Sequence, residues 1–285
     1  MEIKASQVKE LRDMTGVAMM ECKKALVECS GDIEKALDLL RSNSALKAEK
    51  KAARVAADGV LRVHVGDDYS TLIEINSETD FAAKDENFIK FADDVQKFIS
   101  ENKLIDIADI QASEVEDKRK ALVQTIGENI QLRRLETIEY SSEMNTSSYV
   151  HSDSKLGSIV VISGGDETLA KDIAMHVAAF NPLCLSEADI DPQILEREKA
   201  IYMVQAEESG KPQEIMEKMI EGKLNRFLSE VSLLSQNFVK DPEVTIQNLL
   251  DSNNAKIESY TRLKVGEGIE VETKNFADEV AEQLK

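Results

Sequence analysis

The 285-residue chain has no tryptophan, only three histidines, three cysteines and four prolines, and 5% aromatic residues. Each shortage excludes a class of function. Cys22, Cys29 and Cys184 are too scattered for a disulfide framework or a CxxC-type zinc site. Cys22 and Cys29 sit two helical turns apart, too far for a bridge along one face, and so few cysteines fit a reducing compartment. His64, His151 and His176 lie far from one another in the chain, so local spacing assembles no metal or nucleophile set. His64 reads as a strand residue, His176 as a partly buried helix residue, and His151, in a polar loop, as an exposed contact. No P-loop, GxGxxG, GxSxG or HExxH segment occurs. Gly164-Gly165 fits a hairpin turn too short to cradle a phosphate. Apolar runs such as Ile159–Ile162 are too short to span a membrane, and "MEIKASQVKE" lacks the layout of a signal peptide. The expectation is a soluble cytoplasmic protein, not an enzyme, with no catalytic residue, metal or cofactor.

Basic charge is also scarce. Lys and Arg number 35 against 54 Asp and Glu, a net charge of −19. Such a chain repels bare nucleic acid and anionic membranes. Residues 1–55 depart from the rest, with 11 basic and 9 acidic groups. A basic contact surface therefore lies near the N-terminus, and its modest size suits a protein partner.

What is present is 42% apolar residues, arranged in changing periods. Residues 5–42 predict three short helices: Ser6 caps the first, Gly16 ends it, the second runs over about 18–29, and Asp32 caps the third. "ALKAEKKAARVAADG" follows as a helical linker with Lys47, Lys50, Lys51 and Arg54 on a basic face. "VLRVHV" and "YSTLIEIN" alternate as a hairpin about Gly66-Asp67-Asp68. "ENFIKFADDVQKFI" is an amphipathic helix, and helical patterning continues into "IQLRRLETIEY", whose end fits a strand as well. A second strand-rich region starts at "KLGSIVVISGG" and leads into the helix "ETLAKDIAMHVAAF". That order echoes 72–99 and predicts a diverged internal repeat. Asp191 and Pro192 open one arm of a helical hairpin, "SGKP" turns it, and Pro212 opens the second arm. Its apolar positions, such as Ile194, Ile201, Ile215 and Met219, fit internal packing and pairing of two copies equally well. "EVSLLSQNFV" and "ESYTRLKVGEG" read as strands, and a small helix carrying Phe276, Val280 and Leu284 ends the chain. The fold class is α+β. The expected division is a three-helix bundle and linker helix (1–55), a first core half (56–140), a second core half (141–182 and 229–263), a coiled-coil hairpin (183–228) and a small C-terminal module (264–285).

Two places offer contact chemistry. On the second helix Met19, Cys22, Leu26 and Cys29 form one apolar stripe. Met20 is turned by about 100° from Met19 and shares its side with Lys23, Lys24 and Val27. Both methionines cannot readily be buried in so small a bundle, and the outward one makes an adaptable contact surface beside lysines. The other place is "LIEINSETDFAAKD" at 72–85, where Asp80-Phe81 follows an apolar strand. Either Phe81 turns back to staple the core or it points outward into a partner. A hydrolase built on Asp80 has no second catalytic group in view, and a plain adaptor acting through the bundle leaves the corner without a purpose.

"LRDMTGVAMMECKKAL" at 11–26, "EINSETDFAAKDENF" at 74–88, "TIGEN" at 125–129, "IAMHVAA" at 173–179 and "VGEGIE" at 265–270 together resemble the elongation factor Ts family, in collinear order over essentially the whole chain. The resemblance implies a cytoplasmic guanine-nucleotide exchange factor for the GTPase elongation factor Tu, with a ubiquitin-associated-like N-terminal bundle and two related sheet-plus-helix halves. It implies that Asp80-Phe81, with Thr79 and Ala82, enters the partner near its nucleotide and magnesium site and disturbs that site. It implies further contacts at Arg12, Met19, Met20 and Lys23 of the bundle, and at Ile126, Gly127, His151, Phe238 and Val239 of the core. Ala82 stands where the family commonly has valine, the loop at His151 differs in length, and Lys240 replaces a more apolar residue of some members.

Overall fold

A computed structural model describes residues 3–270. The chain begins with α1 (Ala5–Thr15), α2 (Met19–Glu28) and α3 (Ile33–Lys51). They close around Val8, Leu11, Val17, Cys22, Leu26, Ala36 and Leu40, all buried. Gly16 ends α1 at φ +66°, the left-handed conformation that glycine takes without a Cβ clash. Asp32 caps α3 by accepting from the Lys35 N–H. Ser6 is not the cap of α1: the helix starts one residue earlier, and the Gln7 side chain accepts from the Lys4 N–H instead. The linker helix is not separate either. The alanine- and lysine-rich segment prolongs α3 to Lys51, where the chain leaves the helix, so Arg54 lies beyond it.

Next come β1 (Asp58–Val65), β2 (Tyr69–Ser77), the one-turn α4 (Asp80–Ala83), α5 (Glu86–Asn102), α6 (Ile107–Gln111), α7 (Glu114–Ile126) and β3 (Ile130–Glu139). The strands form an antiparallel sheet in the order β1-β2-β3. Ile73 and Ile75 face Phe88, Phe91, Val95 and Ile99 of α5, while Leu72 faces the other way. Residues alternate faces along a strand, so this division follows from position alone.

The second half repeats the plan with β4 (Asn145–Val150), β5 (Leu156–Ser163) and α8 (Glu167–Phe180). Beyond α8 come α9 (Pro192–Glu208) and α10 (Gln213–Val231), then β6 (Asn237–Phe238), β7 (Asp241–Thr245), α11 (Ile246–Ser252) and β8 (Lys256–Lys264). The order is β4-β5-β8, again antiparallel, with Val160 and Ile162 facing α8. The two sheets meet through Leu61, Leu72, Ile159 and Leu263. Both middle strands carry a register shift at matching places, Glu74/Ile75 and Val161/Ile162. The α9–α10 hairpin opens as expected, with Asp191 capping and Pro192 in the first turn.

Three segments differ from their sequence patterns. "EVSLLSQNFV" is mostly not strand: it completes α10, passes through a tight turn at Leu233–Ser235 and contributes only Asn237–Phe238 to a sheet. Residues 130–139 are strand throughout, so the strand alternative left open for the end of "IQLRRLETIEY" holds and the helical pattern stops at Ile126. The second strand region begins at Asn145, earlier than the apolar pattern. The small terminal helix carrying Phe276, Val280 and Leu284 lies outside the described residues.

Candidate functional site: a braced corner with an outward aromatic

α4 is four residues long, and its turn decides the fate of Phe81. Successive residues advance by about 100°. Ala82 and Ala83 are buried at 5% and 4% exposure, which puts Asp80 and Phe81 on the opposite side. Phe81 is 82% exposed, the most exposed large apolar side chain among the described residues. The staple alternative is thereby excluded. Two small alanines let the turn lie flat on the sheet, so the aromatic stands outward on a short, fixed base.

The base is fixed by polar contacts. Thr79 caps α4, its hydroxyl accepting from the Ala82 N–H at 3.2 Å. The same hydroxyl donates to Glu128 at 2.7 Å, and Glu128 also accepts the Thr79 N–H at 3.0 Å. Glu78 accepts the Asn129 N–H at 2.6 Å, and the Ser77 hydroxyl donates to the Thr79 carbonyl at 3.0 Å. Asp85 then caps α5, accepting from the N–H of Asn87 at 2.8 Å. The segment 77–85 thus has its turns specified at both ends.

Asp80 pairs with Lys84 across one turn at 2.6 Å. That hydrogen bond, helped by the charge of Lys155, holds the Asp80 carboxyl below the usual carboxylate range, and it raises Lys84 in return. Lys155 is itself paired with Asp58 at 2.7 Å, which draws the β4–β5 turn toward the corner. His151 lies in that turn, exposed, with Nδ1 2.9 Å from Asp153.

The loop after α7 joins the corner to the bundle. Gly127 ends α7 at φ +89°, and its carbonyl accepts from Lys51 of α3. Ile126 and Gly127 are half-buried, directly before the Glu128 that clasps Thr79. A second latch ties α2 and α3 to α7: Glu21 accepts from Lys47 at 2.6 Å and from Gln124 at 2.9 Å, and both contacts lower its pKa. Arg12 and Lys23 are exposed on the bundle. Met19 and Met20 are both exposed, at 45% and 64%, so of the stripe read through Met19 only Cys22 and Leu26 are buried, with Cys29 half-buried.

Phe238 and Val239 lie elsewhere. Phe238 is buried at 7% in the core of the second half, and Val239 is half-buried in a turn against α8. His176, expected to be partly buried, is wholly buried there. Among the described residues no hydrogen bond or ion pair joins this turn to the 79–81 corner. Sequence reading missed Glu128, Asn129 and Glu78 as braces. Their partners are some fifty residues away in the chain, and only the capping signal at Thr79 is local.

No cluster of His, Cys, Asp and Glu able to hold a metal ion occurs among the described residues, and none of their helices is long and apolar enough to cross a membrane. A braced corner displays an aromatic ring beside a charged pair, and α2 carries a second exposed apolar and basic face, the features of a protein-contact surface rather than of a catalytic pocket. A family model described as "Elongation factor TS" matches residues 78–267. Curated proteins named "Elongation factor Ts" match over nearly their whole length. That of Hahella chejuensis is 51% identical, covering 99% of both chains. That of Thioalkalivibrio sulfidiphilus is 46% identical over 100% of this chain and 99% of its own, and that of Francisella tularensis subsp. novicida is 48% identical over 99% of both. The chain belongs to the elongation factor Ts family, which serves protein biosynthesis through nucleotide exchange on elongation factor Tu.

Proposed function

We propose that this chain is a cytoplasmic guanine-nucleotide exchange factor that promotes GDP release from elongation factor Tu during translation elongation, by wedging Asp80-Phe81 near the partner's nucleotide and magnesium site. The observation that carries the reading is Phe81, 82% exposed on a corner clasped by Glu128. A phenyl ring has no lone pair and cannot ligate magnesium, so its action is steric and hydrophobic. Burying the ring in the partner contributes about 2 kcal/mol. That gain exists only in a partner conformation with a gap for the ring, so it biases the partner toward that conformation. Fixing the corner beforehand lowers the ordering cost of binding. Asp80, already paired with Lys84, orients polar groups around the wedge.

One ring does not offset a tightly held nucleotide, so a broad interface is required. Arg12, Met19, Met20 and Lys23 supply it from the bundle. Ile126, Gly127, His151 and Val239 supply it from the core, with the buried Phe238 holding the 238–239 turn from inside. Reciprocity then follows: if this protein weakens GDP binding, GDP weakens binding of this protein by the same factor. No covalent bond is made or broken. The test is to add the chain to elongation factor Tu preloaded with labelled GDP and excess unlabelled nucleotide. Release accelerated in proportion to added chain supports the reading, and an unchanged release rate overturns it.

A further inference from the structure

His176 has bonding that its α8 position alone does not require. It is wholly buried, and each ring nitrogen has one partner. The Val239 N–H donates to Nδ1 at 3.2 Å. A backbone N–H can only donate, so Nδ1 carries a bare lone pair and the ring proton sits on Nε2. Nε2 therefore donates to Gln236 Oε1 at 2.9 Å. Gln236 in turn donates through Nε2 to the Glu230 carbonyl at 2.7 Å, which fixes which way its amide points. The result is a directed chain from Val239 through His176 and Gln236 to the end of α10. Every member is satisfied only when the imidazole is neutral. Burial favours that form, pushing the His176 pKa below the ordinary histidine value against the opposing effect of the Gln236 bond.

The segment so held has only a short strand pairing of its own. β6 has two residues, and its pairing with β7 is irregular between Asn237 and Phe238. Asp172, His176 and Phe180 are spaced four apart and share one face of α8. Lys240 pairs with Asp172 at 2.6 Å, Val239 bonds His176, and Phe180 stacks on the imidazole at 4.6 Å. Phe238 packs at 6.3 Å from the same ring. The turn is thus fitted to α8 residue by residue, with the imidazole at its centre.

We infer that His176 is a positioning residue for nucleotide exchange: its neutral Nε2–H form sets the backbone of the 236–239 turn so that Val239 is presented to elongation factor Tu. This rests on the reading that the 238–239 turn meets that partner. The residue touches no nucleotide and acts only through the turn. Histidine suits the task because one rigid uncharged ring offers an acceptor and a donor on separate edges.

The test uses the full chain and elongation factor Tu loaded with labelled GDP, with release followed against exchange-factor concentration. Val239→Asp probes the contact itself, and His176→Ala and His176→Asn probe the positioning. In His176→Ala the concentration giving half-maximal release rises about tenfold, with the maximal rate little changed. His176→Asn, whose Oδ1 can take the Val239 N–H, recovers most of that loss. If Val239→Asp weakens binding while His176→Ala binds as the unsubstituted chain does, the contact stands and the role of His176 is overturned. If Val239→Asp has no effect, the contact is wrong and the inference falls with it. Nitrogen NMR of the unsubstituted protein keeps the question decidable if His176→Ala does not fold. A neutral Nε2–H ring and an exchange-protected Val239 amide are expected, and a charged ring or the Nδ1–H form at neutral pH overturns the inference.

Discussion

Thr79 does three things at once: its hydroxyl accepts from Ala82, the same hydroxyl donates to Glu128, and its N–H donates to Glu128. Thr79→Ala removes the cap and one of the two Glu128 bonds, and costs about 1 kcal/mol of stability. Glu128→Ala removes the clasp while leaving the cap. Glu128→Ala should slow GDP release severalfold at sub-saturating concentration, with a melting temperature close to that of the unsubstituted chain. Stopped-flow release and thermal unfolding check the two halves of that statement. Sequence alone offered Phe81 two directions, inward as a core staple or outward to the surface. What decided between them was the pair of alanines after it, whose burial leaves the aromatic no inward direction. The clasp was not legible, because a carboxylate at position 128 carries no mark of the residue it reaches.

At the scale of elements, the corner is an addition to a repeated unit. Ile75 and Ile162 hold equivalent bulged positions on the two middle strands. From Ile75 the chain runs through α4 before α5 begins at Glu86, whereas α8 begins at Glu167, just after the Gly164-Gly165 turn. The Thr79–Phe81 corner therefore occupies a longer strand-to-helix connection than its counterpart in the second half, the kind of segment that tolerates change without disturbing a core. The amphipathic helices and their caps were readable because apolar spacing and short-range hydrogen bonds are local. β3 was ambiguous for a physical reason. Leu132, Leu135 and Ile138 recur every third residue, as on a helix. In the strand, the bulge opposite Glu74/Ile75 keeps Leu132 and Leu135 on the α5 side, and Ile138 turns to the sheet interface. β4, "NTSSYV", is polar, and its partner β5 supplies what its own sequence does not signal. On α2, Met20 and Val27 are exposed at 64% and 58% on the face that also carries Lys23. Met20→Glu should weaken binding to elongation factor Tu, measured by calorimetry, while changing stability by less than about 0.5 kcal/mol. A large loss of helical signal in that variant would instead place Met20 in the packing of the bundle.

Across the whole molecule, the "VGEG" segment near the described C-terminal end closes back on the first sheet. Glu74 is fully buried on β2 and accepts from the Gly266 N–H at 2.8 Å, from Arg133 at 2.9 Å and from Arg134. The two arginines also donate to the carbonyls of Glu267 and Lys264. Burial alone raises the Glu74 pKa. The Gly266 N–H, Arg134, Arg133 and Asn76 outweigh it, and the carboxyl is held below its ordinary value of 4.5. A folded-state pKa below the unfolded one gives stability that is present above pH 4.5 and is lost as pH falls through the folded value. Glu74→Gln should therefore cost on the order of 3 kcal/mol at neutral pH, with the gap to the unsubstituted protein narrowing in acid. Denaturant unfolding at pH 7 and near pH 3 checks both the size and the sign. A constant gap would mean that the carboxylate charge is not what holds the segment.

Phe81 is the side chain on which the proposed exchange depends. The measurement that tests it most directly is the rate of labelled GDP release from elongation factor Tu with Phe81→Ala, taken at concentrations that saturate binding and accompanied by a melting curve. The expected result is a release rate lowered by about tenfold or more and a melting temperature nearly unchanged, since the ring is 82% exposed in the free protein. A variant that melts early yet, per folded molecule, releases GDP as fast as the unsubstituted chain would contradict it.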